Sequence, residues 1–393
     1  KQLTQTWSKI PEVFRYVNSL GVSPGATPFG YIGGGAPGPS GSTEVDRINY
    51  DNDTVTSAVR GPLNTARSWP GSTGNSSYGY WGGGDGPAPS SVDRIDYSSD
   101  TDTASPKGNL SIAKKWLSAT GNSSYGYYNG GYTSSDVSSV DRIDFSSDTS
   151  TATAKGPLSS AKRWVMSTGN QSYGYVGGGE PPSVTTMNRI DYASDTGTTP
   201  TKGPLSYARY GGAATGNADY GYFGGGYPTT SRIDRLDFSN DTATAVTKGP
   251  LVAARKYLAA TGSSSFGYFV GGQQPGTYSY IDRVDYSNDT PTSSPKGPLS
   301  RQDSNLSGAS PLANALPNPI PTAPATRTES EPISPALLGT NYDFGYWTVG
   351  ANPSFQPTSI IDRLDFDNDT ATAAPKGPLS RTAYNVGAVG NKP

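Results

Sequence analysis

The residues with the clearest potential for chemistry are aspartates spaced four apart, the second of which is followed by threonine. The pattern occurs, for example, as Asp96, Asp100 and Thr101, and again as Asp237, Asp241 and Thr242. Carboxylates at close spacing could bind Ca²⁺, but a calcium loop supplies a denser set of oxygen ligands than this pattern does. We interpret the motif as a tight turn whose Asp, Asn and Thr side chains accept hydrogen bonds from backbone NH groups. We therefore expect no metal site.

The chain lacks the residue types on which most catalytic and metal sites depend. Its 393 residues include no His and no Cys. Their absence removes imidazole bases, thiolate nucleophiles, disulfides and the usual zinc and copper ligands. A glycosidase with paired carboxylates remains open. The glutamates are Glu12, Glu44, Glu180, Glu329 and Glu331. None lies at an equivalent inner position of a repeat, so we expect no enzymatic activity, no catalytic residue and no cofactor.

Three further motifs favour structural roles. An arginine recurs two positions before an Asp or Asn, at Arg47, Arg94, Arg142, Arg189, Arg235, Arg283 and Arg363. Because residues i and i+2 share one face of a strand, we interpret these arginines as carboxylate contacts between neighbouring repeats, not as an anion site. Glycine runs follow strands, but no helix or Gly-Lys-Ser/Thr follows them, which disfavours a phosphate loop. We interpret the Asn-x-Ser/Thr sequences as turns.

These motifs belong to a sequence repeat that occurs seven times in the chain. It starts with Asp-Arg or Asn-Arg at Asp46, Asp93, Asp141, Asn188, Asp234, Asp282 and Asp362, at spacings of 47, 48, 47, 46, 48 and 80 residues. A fixed period of this size indicates a repeat architecture. In each repeat, four short segments rich in Tyr, Val, Ile, Phe and Thr alternate with Gly, Asn, Ser and Pro. This predicts four strands, A to D.

Four antiparallel strands per repeat of this length are typical of a propeller blade. We predict an all-β fold, a seven-bladed β-propeller of four-stranded antiparallel blades, over residues 29–390. The first repeat begins at a strand B, 29–35, and the last continues into a strand A at 381–390. We expect this C-terminal innermost strand to pair with the first blade and close the ring, which would cover two sheet edges. Residues 1–28 are an N-terminal extension and 391–393 a tail.

The repeat resembles the kelch repeat. The matches are 82–84 and 224–226 for its glycine doublet, 92–96 and 233–237 for its Glu-Arg-Tyr-Asp strand, and 204–209 and 250–255 for its Pro-x-x-x-Arg turn. The Trp that is characteristic of strand D is replaced by Thr or Ala. The Asp-Arg-Ile-Asp-Tyr strand, the Lys-Gly-Pro-Leu-Ser turn and the Tyr-Gly-Tyr strand also resemble repeat proteins of tailed phages of marine cyanobacteria. That resemblance implies a virion structural or tail-fibre-like protein.

One face of the predicted propeller carries most of the sequence variation. The B–C and D–A connections share this face, which we call the loop face, and variable loops on a rigid scaffold favour recognition. One D–A connection contains a Pro- and Ala-rich insertion, residues 301–334, which is either a tolerated surface loop or a docking arm. The candidate interaction residues are Trp7, Phe14, Tyr16, Tyr132, Tyr227, Tyr278, Tyr280, Pro311, Pro317, Pro319 and Pro321.

The sequence leaves three functions to compare. The first is a structural or attachment protein on a virus particle or other extracellular surface, which contacts proteins of the same assembly, further copies of itself or cell-surface carbohydrate. The second is an intracellular kelch-type adaptor, and the third is a carbohydrate-active enzyme. The net charge of −2 gives no case for nucleic acid, and no apolar run reaches the length of a membrane helix. We favour the first function.

Overall fold

A computed structural model describes residues 28–36 and 41–311, and the backbone of four later strands at 344–348, 358–365, 374–383 and 388–390. The chain divides into two compact units, Lys1–Ala323 and Pro324–Pro393. The described part of the first unit forms six four-stranded antiparallel sheets, and that of the second unit forms one.

The strands of the first unit follow the four-segment pattern of the repeats. Blade 1 contains β1 (Phe29–Gly34), β2 (Val45–Asn49), β3 (Ala58–Arg60) and β24 (Leu306–Ala309). Blade 2 contains β4 (Gly71–Gly74), β5 (Tyr78–Gly82), β6 (Val92–Asp96) and β7 (Ser105–Lys107). Blade 3 contains β8 (Ser118–Gly121), β9 (Tyr125–Asn129), β10 (Val140–Asp144) and β11 (Thr153–Lys155).

The other three blades have the same order. Blade 4 contains β12 (Met166–Gly169), β13 (Tyr173–Gly177), β14 (Met187–Asp191) and β15 (Thr201–Lys202). Blade 5 contains β16 (Ala213–Gly216), β17 (Tyr220–Gly224), β18 (Ile233–Asp237) and β19 (Val246–Lys248). Blade 6 contains β20 (Ala259–Gly262), β21 (Phe266–Val270), β22 (Ile281–Asp285) and β23 (Ser294–Pro295). Single 3-10 turns follow strand C at Tyr50–Asn52, Tyr97–Ser99, Phe145–Ser147 and Phe238–Asn240.

The innermost strands contact one another in a closed cycle, β4, β8, β12, β16, β20, β24 and back to β4. The first unit is therefore a β-propeller of six blades, and the prediction of seven blades is wrong. The ring is closed by β24, which pairs with β1 from Tyr31↔Ala309 to Gly34↔Leu306. The prediction that residues 381–390 close the ring is also wrong. Strand β24 lies inside the segment 301–334, which the sequence pattern presented as an insertion.

Small residues allow β24 to act as an innermost strand. A Cβ on Gly308 would lie 2.4 Å from the carbonyl oxygen of Ala260 in blade 6 and 2.8 Å from the side chain of Ile32 in blade 1. The Thr261 hydroxyl donates to the carbonyl of Ala309 at 3.1 Å, and Trp81 Nε1 donates to that of Ser307 at 3.3 Å. The strand is thus hydrogen-bonded to both neighbouring blades.

The seventh repeat folds in the second unit. Its sheet contains β25 (Phe344–Thr348), β26 (Thr358–Asp365), β27 (Ala374–Ala383) and β28 (Ala388–Gly390), in the order β27-β26-β25-β28. Strand β28 belongs to the segment that the sequence assigned to ring closure. It pairs with β25, with Trp347 opposite Ala388.

Side chains from neighbouring blades form the core. One cluster contains buried Tyr222, Ile233 and Leu251 of blade 5 together with Phe269 and Val284 of blade 6. A blade is therefore covered on both of its faces, so strand B is buried at consecutive positions, as in Tyr222 and Phe223. The hydrophobic stabilisation lies between blades, which makes each blade depend on its neighbours.

An ionic contact, which we call the aspartate clamp, joins each blade to the next. In blade 4, the Tyr175 hydroxyl and Arg189 Nη1 donate to one carboxylate oxygen of Asp241 in blade 5, at 3.0 and 2.8 Å. Lys202 Nζ lies 3.1 Å from the other oxygen. The aspartates bound in this way are Asp53, Asp100, Asp148, Asp195, Asp241 and Asp289. The predicted arginine–carboxylate contact between repeats is therefore confirmed for the six arginines of the propeller, and Arg363 lies outside the residues whose side chains are described.

The clamps form a closed cycle around the six-bladed ring. Asp53 of blade 1 is bound by Tyr268 and Arg283 of blade 6, at 2.9 and 2.8 Å. Each of the six blades thus gives one aspartate and receives one. The same motif also contains the predicted turn, because Asp237 Oδ1 accepts a hydrogen bond from the backbone NH of Ser239 at 2.9 Å. The turn interpretation is confirmed for the first aspartate of the Asp-Tyr/Phe-x-x-Asp-Thr motif, whereas the carboxylate of the second aspartate is bound in the clamp.

Burial and hydrogen bonding compete at the clamp aspartates. Burial by itself would raise the pKa of Asp241, but the hydrogen bonds from the lysine, tyrosine and arginine outweigh it and hold the pKa below its usual value. The pKa values of Asp195 and Asp289 are lowered by the same balance. These carboxylates are therefore ionised structural groups over the neutral pH range.

Candidate functional site

A ring of left-handed residues surrounds the propeller axis on the loop face. Each lies just before an innermost strand: Trp69, Trp116, Trp164, Gly211, Tyr257 and Asn305, with φ angles of 50°, 58°, 51°, 62°, 57° and 62°. Residues other than Gly and Asn rarely adopt this left-handed conformation, and residues that are held in it cluster at functional sites. The ring is the place where the repeats have the same backbone and different side chains.

Backbone hydrogen bonds between successive blades hold this ring. Trp164 N donates to Trp116 O at 2.7 Å, and Gly211 N donates to Trp164 O at 2.8 Å. The same contact links Tyr257 to Gly211, Asn305 to Tyr257 and Trp69 to Asn305, at 2.6, 2.8 and 2.7 Å. At these five residues the left-handed conformation directs the NH toward the preceding blade. The strain at Trp69, Trp164 and Tyr257 is therefore offset by a hydrogen bond that fixes neighbouring blades together.

Aromatic side chains from five blades converge on this ring. Trp116 stacks on Trp164 with ring centroids 4.7 Å apart, and Trp164 stacks on Tyr210 at 5.2 Å. Tyr132 lies against Trp116 at 4.9 Å, and Tyr227 lies against Tyr210 at 5.2 Å. We call the whole group the aromatic rim; it comprises Trp69, Trp116, Tyr132, Trp164, Tyr210, Tyr227 and Tyr257. Trp69 meets Tyr257 edge-on at 6.1 Å, so the group continues across the axis.

Short antiparallel bridges place the outer members of the rim. A residue just before the ring pairs with the first residue after the glycine doublet of strand B, as in Lys115↔Tyr132, Tyr210↔Tyr227 and Lys256↔Gln273. The doublet turns the chain toward the axis, with φ of 65° at Gly225 and 112° at Gly226. These glycines therefore form a positive-φ strand end, which explains how B–C loops reach the axis.

Charged side chains surround the rim in pairs. Arg163 forms ion pairs of 3.0 Å with Asp136 and 3.1 Å with Glu180, and its guanidinium lies 4.8 Å from the centre of the Trp164 ring. Lys256 Nζ lies over the Tyr257 ring at 5.0 Å. Among the described residues, Lys256 makes no ion pair. The rim therefore combines aromatic faces with hydrogen-bonding groups of both signs.

A cavity of about 100 Å³ lies on the axis beneath the rim. It is lined by the residues that begin the six innermost strands, among them Trp69, Trp116 and Trp164 of the rim. Small residues such as Ser118 and Ala214 form much of its wall. The narrow interior results from the close approach of six strands, which only small side chains allow.

A second set of buried ion pairs lies behind the rim. Arg209 binds Asp234 at 3.2 Å with both side chains fully buried, and Lys114 binds Asp141 at 3.1 Å in the same manner. In blade 4, Asn188 takes the place of the aspartate. The corresponding lysine, Lys162, has no hydrogen-bond partner, and burial lowers the pKa of Lys162 to about 8. Blade 4 thus differs from the other blades at this pair, and the difference is visible in the sequence as Asn-Arg at 188 in place of Asp-Arg.

The structure places the sequence candidates in several locations. Tyr132 and Tyr227 belong to the rim. Tyr278 and Tyr280 stack on each other at 4.7 Å in a B–C loop of blade 6, and Pro311 is buried just after β24. The remaining candidates, which lie outside the described residues, are Trp7, Phe14, Tyr16, Pro317, Pro319 and Pro321.

Sequence reasoning missed the inner members of the rim. Trp69, Trp116, Trp164 and Tyr257 stand at one fixed offset before strand A. A search for aromatic residues at equivalent repeat positions would have found them. Their convergence follows from the ring geometry, which no single repeat contains.

No protein-family model matches the chain, and no curated protein matches it. The kelch and phage resemblances thus rest on the quoted residues alone. The propeller fold is compatible with a scaffold for protein interactions. The described ranges contain no helix long and apolar enough to span a bilayer. Those ranges also contain no group of three acidic, His or Cys residues arranged to hold a metal ion.

Proposed function

We propose that this protein is a non-enzymatic recognition scaffold that holds another macromolecule against the aromatic rim of its loop face. The observation that carries the proposal is the rim itself. Seven aromatic side chains from five blades meet at one end of the axis, at positions where the repeats otherwise differ. A structural repeat needs no such convergence for its own stability, because the cores between blades lie elsewhere.

The composition of the loop face supports binding. Trp, Tyr and Arg dominate the energetics of protein interfaces because they offer large, partly rigid contact surfaces. The described tyrosines with the greatest exposure, Tyr207, Tyr227 and Tyr280, are 39%, 42% and 48% exposed, and all three lie on loop-face connections. Exposed aromatic residues concentrated on one face favour a contact surface there.

The scaffold is also rigid where the rim is built. The ring residues are held by backbone hydrogen bonds between blades, and each blade is fastened to the next by an aspartate clamp. Binding to a preorganised surface loses less conformational entropy than binding to mobile loops. The loop face thus supplies rigid aromatic groups and adjustable charged groups together.

The absence of catalysis and the location are parts of the proposal. The buried carboxylates Asp241 and Asp234 are used in a clamp and an inner ion pair. The placement of this protein on a virus particle or other extracellular assembly is supported by the resemblance of the repeat sequence to phage repeat proteins. The partners would be proteins of the same assembly, a second copy of this chain or surface carbohydrate.

The test is a binding survey with matched variants. The full chain would be immobilised and exposed to glycans, candidate surface proteins and the chain itself, with wild type compared to Tyr132→Ala and Tyr227→Ala. Val55→Ser is the control, because Val55 is 51% exposed in a C–D turn of the opposite face. We expect the two tyrosine variants to lose at least tenfold in affinity and the control to lose none. Binding that Val55→Ser weakens, or that both tyrosine variants retain, would contradict the proposal.

A further inference from the structure

The cations around the rim are neutralised unequally. The residue just before the left-handed ring is basic at Lys115, Arg163 and Lys256. Lys115 Nζ lies 3.1 Å from Asp85, and Arg163 Nη2 lies 3.1 Å from Glu180. Within the ranges that the structure describes, Lys256 has no carboxylate partner. One sector of the loop face therefore carries a positive charge that the protein itself does not neutralise.

The short backbone bridge at this position explains the difference. Arg163 bridges to Glu180, so the acidic residue after the glycine doublet neutralises the cation. Lys256 bridges in the same way to Gln273, whose amide carries no charge. The Lys256 ammonium instead lies over the Tyr227 ring, 5.1 Å from its centre. An ammonium over an aromatic ring keeps NH donors for a further partner.

A second cation without a carboxylate lies toward the outer edge of blade 5. Arg232 is at the end of the B–C loop in which Tyr227 follows the glycine doublet. Its guanidinium lies 5.5 Å from the centre of the Tyr207 ring, and its Nη1 donates to Thr247 Oγ1 of the outermost strand β19 at 2.9 Å. Among the described residues, its side chain is held by hydroxyl groups and not by an acid. We call the group of Tyr207, Tyr227, Arg232 and Lys256 the tyrosine–cation stripe.

The spacing of the two cations favours an extended peptide over a polyanion. Tyr227 and Arg232 are five residues apart, so at most about 18 Å of backbone separates the two ends of the stripe. The loop residues between them, 228–231, carry no charge. A nucleic acid or a uronic-acid chain would hold further negative charges over this uncharged stretch, on a protein whose net charge is −2.

A peptide can instead place one acidic residue at each end of the stripe and uncharged residues between them. Tyr207 and Tyr227 are 39% and 42% exposed, and they offer contact surface to those intervening residues. Charge complementarity at two fixed points also sets the direction and register of such a segment.

We propose that the tyrosine–cation stripe binds an acidic peptide segment of a partner protein, with one carboxylate at Lys256 and another at Arg232. The inference rests on the proposed function, because Tyr227 belongs to both the rim and the stripe. It adds the sector of the loop face that is used and the charge of the partner. Gln273 makes this binding possible, because its amide leaves the Lys256 charge to an external carboxylate.

The experiment measures the fluorescence anisotropy of a labelled peptide of alternating Glu and Tyr on the full chain, with a peptide of alternating Gln and Tyr as the uncharged comparison. Lys256→Gln and Arg232→Gln each remove one charge, and Gln273→Glu supplies an internal partner for Lys256. Lys115→Gln is the matched control, because Lys115 occupies the same repeat position and is already paired with Asp85. We expect each stripe variant to lose about fivefold in affinity, as for one exposed ion pair. The control should keep its affinity, and all unfolding midpoints should stay unchanged.

The outcomes separate this inference from the proposed function. Equal affinity for the two peptides, or a loss in Lys115→Gln as large as in Lys256→Gln, would overturn the inference. Tighter binding of a uronic-acid oligosaccharide or an oligonucleotide would show that the partner class is wrong. If a partner needs Tyr132 and Tyr227 but binds Lys256→Gln and Arg232→Gln normally, the stripe fails and the rim remains the binding site. If no partner depends on either tyrosine, the proposed function itself fails.

Discussion

Asn188→Asp should stabilise the propeller by giving the buried Lys162 a charged partner. The other inner pairs show the geometry that the variant restores: Lys114 lies 3.1 Å from Asp141, with both side chains fully buried. In wild type, Lys162 Nζ has no hydrogen-bond partner, and the Nδ2 atom of Asn188 donates to Ser159 and Thr199. A buried ammonium without a carboxylate retains its desolvation cost uncompensated.

The magnitude follows from the lowered pKa. A change from 10.5 to about 8 corresponds to about 3 kcal/mol of unfolding free energy, at 1.36 kcal/mol per pKa unit. Below pH 8, Lys162 is charged in both the folded and the unfolded states, and the whole cost is present. Between about pH 8 and 10.5 the unfolded chain holds a proton that the folded chain has lost, so stability rises with pH in that interval. We expect Asn188→Asp to gain about 2 kcal/mol at pH 7, since the new carboxylate is itself desolvated.

The assay is denaturant unfolding of wild type and Asn188→Asp at several pH values from 7 to 9.5. The difference between the two proteins removes the contribution of all other titrating groups. This difference should be largest at pH 7 and shrink toward pH 9.5. Asp141→Asn is the matched control, because it removes the carboxylate partner of Lys114, whose Nζ still donates to the carbonyl of Tyr128 at 3.0 Å, and it should destabilise by about 3 kcal/mol. Equal stability of wild type and Asn188→Asp at pH 7, or a difference that does not change with pH, would refute the reasoning.

Three further predictions concern the ring. Asp241→Asn should lower the unfolding free energy by about 2 kcal/mol at pH 7, and by less at pH 3, because the lowered carboxylate pKa gives stability that is lost on acidification; urea unfolding at both pH values measures this. Gly211→Ala should lower the free energy of unfolding by about 1–2 kcal/mol because the φ of Gly211 is +62°. Gly197→Ala should not destabilise the fold, because a Cβ at this position would meet no atom within 4 Å. Thermal unfolding compares the two variants. Deleting 304–310 should abolish the cooperative thermal transition of the propeller, while deleting Pro324–Pro393 should leave it unchanged.

The parts of the fold that could be predicted are those each repeat contains in full. Four strands, their order and the turn after strand C follow from about 47 residues of pattern, because hydrophobic alternation and Asx turns are local. The arginine–carboxylate contact between repeats could also be anticipated. Its partner is not the Asp or Asn two positions later, but the aspartate of the next blade, as for Arg189 and Asp241.

The candidate site was predictable only in part. Variation in B–C and D–A connections indicated the loop face, and Tyr132 and Tyr227 lie in those loops, while their part in binding stays a prediction. Trp69, Trp116 and Trp164 are about 47 residues apart in sequence, and nothing in one repeat shows that they meet at the axis.

The sequence by itself determined the blade, because strand pattern, turns and the contact between neighbours are written into every repeat. Only the tertiary structure decided the number of blades. Seven copies are present, yet the ring closes after six, when β24 pairs with β1 and Asp53 enters the clamp of blade 6. The physical reason is that ring closure depends on the summed rotation of successive blades and on which segment supplies the last inner strand. Residues 306–309 fill that place with three small side chains after Leu306 and with little of the repeat pattern, so local sequence reasoning did not identify them.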